Sequence, residues 1–370
     1  MIDPLPLAQS LLRCPSVTGV PDGGAQDVLA VALERQGFTV TRLPFGTTPN
    51  LFARRDEAGR GEAGPHLCFA GHTDVVPPGS GWAQDPWGGV VQDGVLYGRG
   101  ACDMKGAIAA FAAAANGPAA RWGSVSLLIT GDEEGPATDG TVRVLEWMAQ
   151  HGHIPDVCLV GEPTNPDALG EVIKIGRRGS MNATITVHGT QGHAAYPQRA
   201  DNPVHRLIRA MNALIAAPLD DGSVWFEPSS LQITSADVGN LATNVIPGAA
   251  TARLNIRFND HHTGTELTRW LHDAVALHAP RAEIAVSISG ESFLTEPGPW
   301  TTALSAAVQR VTGRTPRLDT GGGTSDARFI AKYCPVAEFG LVSRTIHQVN
   351  EAAPVADLRR LSEIYAAVLS

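Results

Sequence analysis

The run Leu67-Cys68-Phe69-Ala70-Gly71-His72-Thr73-Asp74-Val75-Val76-Pro77-Pro78-Gly79 decides how this chain is read. Four mostly apolar residues and a glycine lead into a histidine and an aspartate two positions apart. That order predicts a short buried strand over 67–70, ending in two polar side chains on one face, because alternate strand residues share a face. An imidazole beside a carboxylate suits a metal ligand whose second ring nitrogen is held by the carboxylate. By itself such a pair is more often a loop histidine near a surface aspartate, and the rest of the chain has to decide.

The pattern recurs. The apolar run Val125–Thr130 is followed by Gly131-Asp132-Glu133-Glu134-Gly135, and Val157–Val160 by Gly161-Glu162-Pro163-Thr164. Helices are predicted near Leu7–Arg13, Ala25–Gln36 and Met104–Ala115, the last entered through Gly98-Arg99-Gly100. Strands alternating with helices predict an α/β layer with a largely parallel sheet, whose ligands gather at the carboxyl ends of strands. From about residue 180 the pattern changes. Met181, Ala183, Ile185 and Val187 alternate with polar residues, and Leu207, Ile208, Met211, Leu214 and Ile215 follow at helical spacing. Strands near 231–236 and 251–258, a helix from the Thr263/Glu266 capping box, and a strand near 283–289 complete a β-α-β-β-α-β unit. This predicts an α+β domain at 179–291 inserted into a catalytic domain formed by 1–178 and 292–370. The second catalytic part contains a helix at Trp300–Thr312, the loop Gly321-Gly322-Gly323 and a terminal helix over Leu358–Leu369.

The 370 residues exceed one ordinary core, and 43% hydrophobic with 18% charged residues is a globular composition. A formal charge of −9 argues against nucleic acid or an anionic membrane as partner. The N-terminus has no basic segment followed by an apolar core, so no signal peptide is predicted, and no apolar run reaches spanning length. Cys14, Cys68, Cys102, Cys158 and Cys334 are scattered and odd in number, which predicts reduced thiols in a cytoplasmic protein.

Five clusters carry the chemistry: His72/Asp74, Asp103, Glu133-Glu134, Glu162, and His347 in Thr345-Ile346-His347-Gln348-Val349-Asn350-Glu351. Two histidines with several carboxylates and no cysteine suit zinc or another borderline divalent ion. Carboxylates crowded at one sheet edge repel one another, and two cations relieve that better than one. In combination these motifs resemble those of the dinuclear-zinc aminoacylase/carboxypeptidase family of metallohydrolases, essentially from end to end of the chain. The resemblance implies a zinc-exopeptidase-like three-layer α/β/α catalytic domain, with the inserted α+β domain serving as dimerisation and lid domain. It implies two Zn2+ per subunit, with Co2+ able to serve as the second metal. Asp103 would bridge them, His72 and Glu162 completing one site and Glu134 and His347 the other. Asp74 would orient His72, and Glu133 would be the general base. His193 would reach from the partner of a homodimer to stabilise the oxyanion.

The resemblance also implies a small substrate with several carboxylates, held by Arg178 and Arg257 through bidentate forks. Ser180, Tyr196, Asn244, Thr324 and Ser325 match substrate-binding positions. Gly176-Arg177-Arg178-Gly179-Ser180 and the Gly321–Ile330 loop point within the family to removal of succinate from N-succinyl-LL-2,6-diaminopimelate, a step toward lysine. Hydrolysis of N-acetylornithine or another N-acyl amino acid is the alternative. Thr243, Ser343 and Cys102 depart from the commoner family residues, and none of them is a ligand position.

Overall fold

A computed structural model describes residues 2–57, 64–216 and 218–370. The chain divides into two units: Met1–Ile175 with Thr295–Asp319 and Ser325–Ser370, and Gly176–Leu294 with Thr320–Thr324. The second unit is wider than the expected insertion of 179–291, because the short strand pair Gly176–Arg177 and Phe293–Leu294 closes its base. The glycine-rich segment Thr320–Thr324 also belongs to it, which moves Thr324 out of the catalytic part where the sequence placed it.

The first unit begins with helices α1 (Leu5–Leu12) and α2 (Ala25–Glu34) and strands β1 (Thr39–Arg42), β2 (Leu51–Asp56) and β3 (His66–His72). It continues through β4 (Val90–Gln92), β5 (Val95–Tyr97), α3 (Lys105–Ala115), β6 (Ser124–Thr130), α4 (Thr141–Gln150), β7 (Val157–Val160) and β8 (Val172–Lys174). β3 and β6 are buried along their whole length, as their apolar runs require. Phe69 of β3 stacks on Phe111 of α3 at 4.3 Å, while Phe52 of β2 meets Trp147 of α4 at 5.5 Å. Phe69 aligns with Leu127 of β6, and Phe52 with the adjacent Leu128. Neighbouring residues of a strand point to opposite faces, so α3 and α4 cover opposite sides of the sheet.

The second unit contains β9 (Gly176–Arg177), β10 (Gly179–His188), β11 (Gly192–His193), α5 (Pro203–Ile215), β12 (Ser230–Asp237), β13 (Val245–Ile246), β14 (Ala249–Phe258), α6 (Gly264–Ala276), β15 (Glu283–Gly290) and β16 (Phe293–Leu294). An antiparallel sheet of order β12-β14-β10-β15 buries Met181, Ala183, Ile185 and Val187 with Leu254 and Ile256 against Leu207 and Leu214 of α5 and Leu267 and Leu271 of α6. The capping box forms as read: Thr263 Oγ1 accepts from the Glu266 N–H, and Glu266 accepts from the Thr263 N–H.

The chain then returns to the first unit with α7 (Pro299–Thr312), β17 (Arg317–Asp319), α8 (Ala327–Ile330), β18 (Val336–Glu338), β19 (Ala352–Pro354) and α9 (Val355–Leu369). The main sheet has the order β1-β2-β6-β3-β7-β18-β8-β17. Its centre, β6-β3-β7-β18, is parallel, but β1, β2 and β6 pair antiparallel and β18 meets β8 antiparallel. The sheet is therefore mixed where the sequence suggested a largely parallel one. The β1–β2 hairpin needs no crossover helix and joins the edge directly. Among the described residues, no helix is long and apolar enough to cross a membrane.

Candidate metal centre

Because β3, β6 and β7 run parallel, their carboxyl ends lie along one edge of the sheet. His72 ends β3, Glu133 and Glu134 form the turn after β6, and Glu162 follows β7. Asp103 comes from the loop entering α3 and His347 from the loop before β19. His72 Nε2 lies 3.2 Å from Asp103 Oδ1 and 3.5 Å from Glu162 Oε1. His347 Nε2 lies 3.2 Å from Asp103 Oδ2 and 2.9 Å from Glu134 Oε1. The two oxygens of Asp103 are thus divided between two donor groups, His72/Asp103/Glu162 and Asp103/Glu134/His347. Ligand atoms around a tetrahedral zinc at 2.0–2.1 Å stand about 3.3 Å apart. The observed spacings bracket that value, so this donor set fits a divalent cation on each side of Asp103.

The electrostatics agree. Burial alone would lower the pKa of His72, yet hydrogen bonds to Asp103 and Glu162 raise it well above the ordinary range. Hydrogen bonds to Asp103 and Glu134 push His347 up to about 10. Burial pushes Glu162 up to about 7, with the Asp103 charge adding to it. Glu133 is likewise raised well above a normal carboxyl, first by burial and then by the charge of Glu162. Asp103 remains well below the carboxylate range, because the two imidazoles outweigh its burial. The negative charge that raises both imidazoles favours a cation equally, and a bound divalent ion would displace their protons.

Asp74 does more than its position on the strand face suggested. His72 Nδ1 is 2.9 Å from the Asp74 carbonyl oxygen and 3.6 Å from its carboxylate. The carboxylate instead accepts the backbone N–H groups of Glu133 (3.2 Å) and Glu134 (3.0 Å). Asp74 therefore orients the histidine through its main chain and anchors the acidic doublet through its side chain.

Glu351 carries no role in the sequence reading, although it closes the His347 motif. Its fully buried carboxylate accepts from the N–H groups of Gly100 (3.0 Å), Cys102 (2.9 Å) and Asp103 (3.1 Å) and from Arg99 Nη1 (2.6 Å). It ties the Asp103 loop to the segment bearing His347, whose φ of +58° is uncommon for a non-glycine residue. Behind Glu162, a side chain at Gly340 would meet the Gly161 and Glu162 carbonyl oxygens at 2.3 and 2.5 Å, so only glycine fits there. Ser325 is turned inward, its hydroxyl donating to Glu338 at 2.8 Å, and it is 1% exposed. Its hydroxyl serves the fold, where the resemblance implied a substrate contact.

The other substrate-facing candidates belong to the second unit and form two groups. At the start of β10, Ser180 pairs with Arg257 of β14, and burial together with the nearby Arg178 charge lowers the Arg257 pKa. Thr324 lies in the glycine-rich segment, where Arg177 Nη1 donates to the Gly323 carbonyl at 3.0 Å. Beyond the far end of β10, His193, Tyr196 and Asn244 are exposed together. The His193 and Tyr196 rings are 5.6 Å apart, and the Ala194 N–H donates to the Asn244 carbonyl at 2.8 Å. His193 Nδ1 accepts from the Ala195 N–H at 3.0 Å, so Nε2 is the ring nitrogen that carries a hydrogen.

Residues 68–370 match peptidase family M20/M25/M40, and the chain belongs to that family of metal-dependent hydrolases. Among curated relatives, it is 65% identical to a succinyl-diaminopimelate desuccinylase of Gluconacetobacter diazotrophicus, over 99% of this chain and 96% of the relative. It is 62% identical to the protein of the same name from Gluconobacter oxydans, over 99% and 97%. Its fold resembles an M20 metallo-carboxypeptidase of Sulfolobus solfataricus, with TM-score 0.80, 16% identity and coverage of 100% and 99%. It also resembles a dinuclear metal-binding M20 peptidase of Bacillus subtilis, with TM-score 0.73, 16% identity and coverage of 99% and 96%.

Proposed function

We propose that this hydrolase removes the succinyl group from N-succinyl-LL-2,6-diaminopimelate, releasing succinate and LL-2,6-diaminopimelate for lysine biosynthesis in the cytoplasm. The names of the relatives at 62–65% identity support the substrate. The observation that carries the chemistry is the division of the Asp103 carboxylate between His72 and His347. His72, Asp103 and Glu162 would hold one zinc ion and Asp103, Glu134 and His347 a second, which cobalt can replace. When bound, such ions polarise the amide carbonyl and bring the pKa of a water to about 7. Glu133, next in sequence to the ligand Glu134, would take the proton of the attacking water and return one to the leaving amine. Asp74 keeps the Glu133 backbone fixed while the proton moves. Arg178 and Arg257 bind substrate carboxylates, with Ser180 paired opposite Arg257, and Thr324 of the glycine-rich segment contributes a hydroxyl.

His193, Tyr196 and Asn244 act, on this reading, in the site of a partner copy. The ten residues of β10 span roughly 30 Å, so one small substrate cannot touch Arg178 and His193 of the same chain. Exposed Ile208 and Ile215, seven residues apart on α5, support pairing of two copies through this unit. Mixing Glu133→Gln and His193→Ala proteins, each inactive, should restore about a quarter of the sites if His193 works across a dimer. Failure of complementation in demonstrably mixed dimers would remove that role. The substrate is tested by comparing kcat/KM for N-succinyl-LL-2,6-diaminopimelate and N-acetylornithine. Faster hydrolysis of the acetyl compound would overturn the substrate reading and leave the metal centre standing.

A further inference from the structure

We propose that Glu227 is a specificity-determining residue that recognises the free ammonium at the end of the substrate remote from the scissile amide. The inference rests on the substrate proposed above, whose remote end is an amino-acid head with a carboxylate and an ammonium on one carbon. Arginines answer only half of that head. The ion-pair partner of Arg178 is Glu227, whose Oε2 lies 3.6 Å from Arg178 Nη1. At that separation the two groups attract without forming a hydrogen bond, so the guanidinium keeps donors and the carboxylate keeps lone pairs for a ligand. The Arg178 side chain is 18% exposed and that of Glu227 79%. A guanidinium next to an open carboxylate is the charge pattern complementary to a zwitterionic head group.

The backbone beneath Glu227 is held in place, which separates it from an ordinary surface glutamate. Its carbonyl accepts from Asn259 Nδ2 at 3.2 Å, and Asn259 is fully buried. Asp220 ties the same loop through the N–H groups of Gly222 (2.8 Å) and Ser229 (3.1 Å) and through Asn259 Nδ2 (2.6 Å). Phe226, next to Glu227, is buried, and the Trp225 carbonyl accepts from Thr320 at the start of the glycine-rich segment. One loop thus links Glu227 to both the Arg178 neighbourhood and the Thr320–Thr324 segment. A substrate with a carboxylate but no ammonium at that end would place like charge against Glu227, so the residue both selects and rejects.

The test compares N-succinyl-LL-2,6-diaminopimelate with N-succinyl-L-2-aminopimelate, which lacks only the remote amino group. The unaltered enzyme should prefer the diamino compound by roughly tenfold or more in kcat/KM, the size expected for one charged contact. Glu227→Gln should raise KM for the diamino compound by about the same factor with little change in kcat, leave the deamino compound unchanged or improved, and bring the ratio near one. Glu227→Asp should restore part of the preference. Equal losses on both compounds would mean that Glu227 acts only through Arg178, and no change on either would mean no contact; both outcomes overturn the inference. Turnover of neither compound by the unaltered enzyme overturns the substrate reading itself, and this inference with it.

Discussion

Replacing Glu351 with glutamine should damage the metal centre without touching a ligand. The carboxylate takes four nitrogen donors on two oxygens: Cys102 N–H and Asp103 N–H on Oε1, and Gly100 N–H and Arg99 Nη1 on Oε2. Whichever way the glutamine amide turns, its NH2 faces two donors and loses both bonds, and Arg99, 2% exposed, becomes a buried cation without its counter-charge. Removing one partner of a buried ion pair costs about 3–5 kcal/mol. The lost backbone bonds overlap with that figure and are not added to it. The expected loss is therefore about 3–5 kcal/mol in urea unfolding of the metal-free protein, together with weaker zinc binding, since the Asp103 N–H is among the donors released. Arg99→Met in the same background should recover part of the stability, because the unpaired charge is gone. A Glu351→Gln protein within about 1 kcal/mol of the original, with zinc affinity unchanged, would refute the idea that this carboxylate holds the loop.

Glu133→Gln preserves shape and removes the proton carrier, so kcat should fall by about 10²–10⁴-fold while metal analysis finds the zinc content unaltered. An active variant would exclude Glu133 as the base. At the other end of β3, burial and then the Arg54 charge lower the His66 pKa to about 4, against about 6.5 in an unfolded chain. The unfolded state therefore takes up the proton first as pH falls. Stability from neutral His66 is fully present above about pH 6.5 and is lost progressively toward pH 4, amounting to about 3 kcal/mol. Urea midpoints across that window should decline, and His66→Gln should flatten the decline; an equal slope in the variant would assign it to other groups.

Much of the first unit is legible because its functional residues follow short buried strands. Leu67–Ala70, Val125–Thr130 and Val157–Val160 have no polar alternation, as strands covered on both faces must. The polar groups that follow them mark the sheet edge where His72, Glu134 and Glu162 meet. The second unit is legible for the opposite reason, since one face of β10 and β14 is half-exposed and both strands alternate. The hairpin β1–β2 is harder to read, its Thr39-Val40-Thr41-Arg42 strand being short and half-polar at an edge. Helix α4 starts after Gly140 with no side-chain cap, so nothing local announces it. Glu351 and Glu227 lie beyond sequence reasoning of this kind. Each takes its role from a partner far along the chain, Arg99 and Arg178, and neither spacing nor composition reveals such a pairing. Asp74 is an intermediate case: its nearness to His72 is local, but its carboxylate answers to Glu133 and Glu134 across the sheet edge.

The central claim is that Asp103 joins two cations, and a crystal structure of the zinc-loaded protein with anomalous data at the zinc edge tests it most directly. Two zinc peaks are expected roughly 3.5–4 Å apart, one beside His72 and Glu162 and one beside Glu134 and His347, with one Asp103 oxygen on each. A single peak at full zinc occupancy, or two peaks with Asp103 bound to only one, would contradict it.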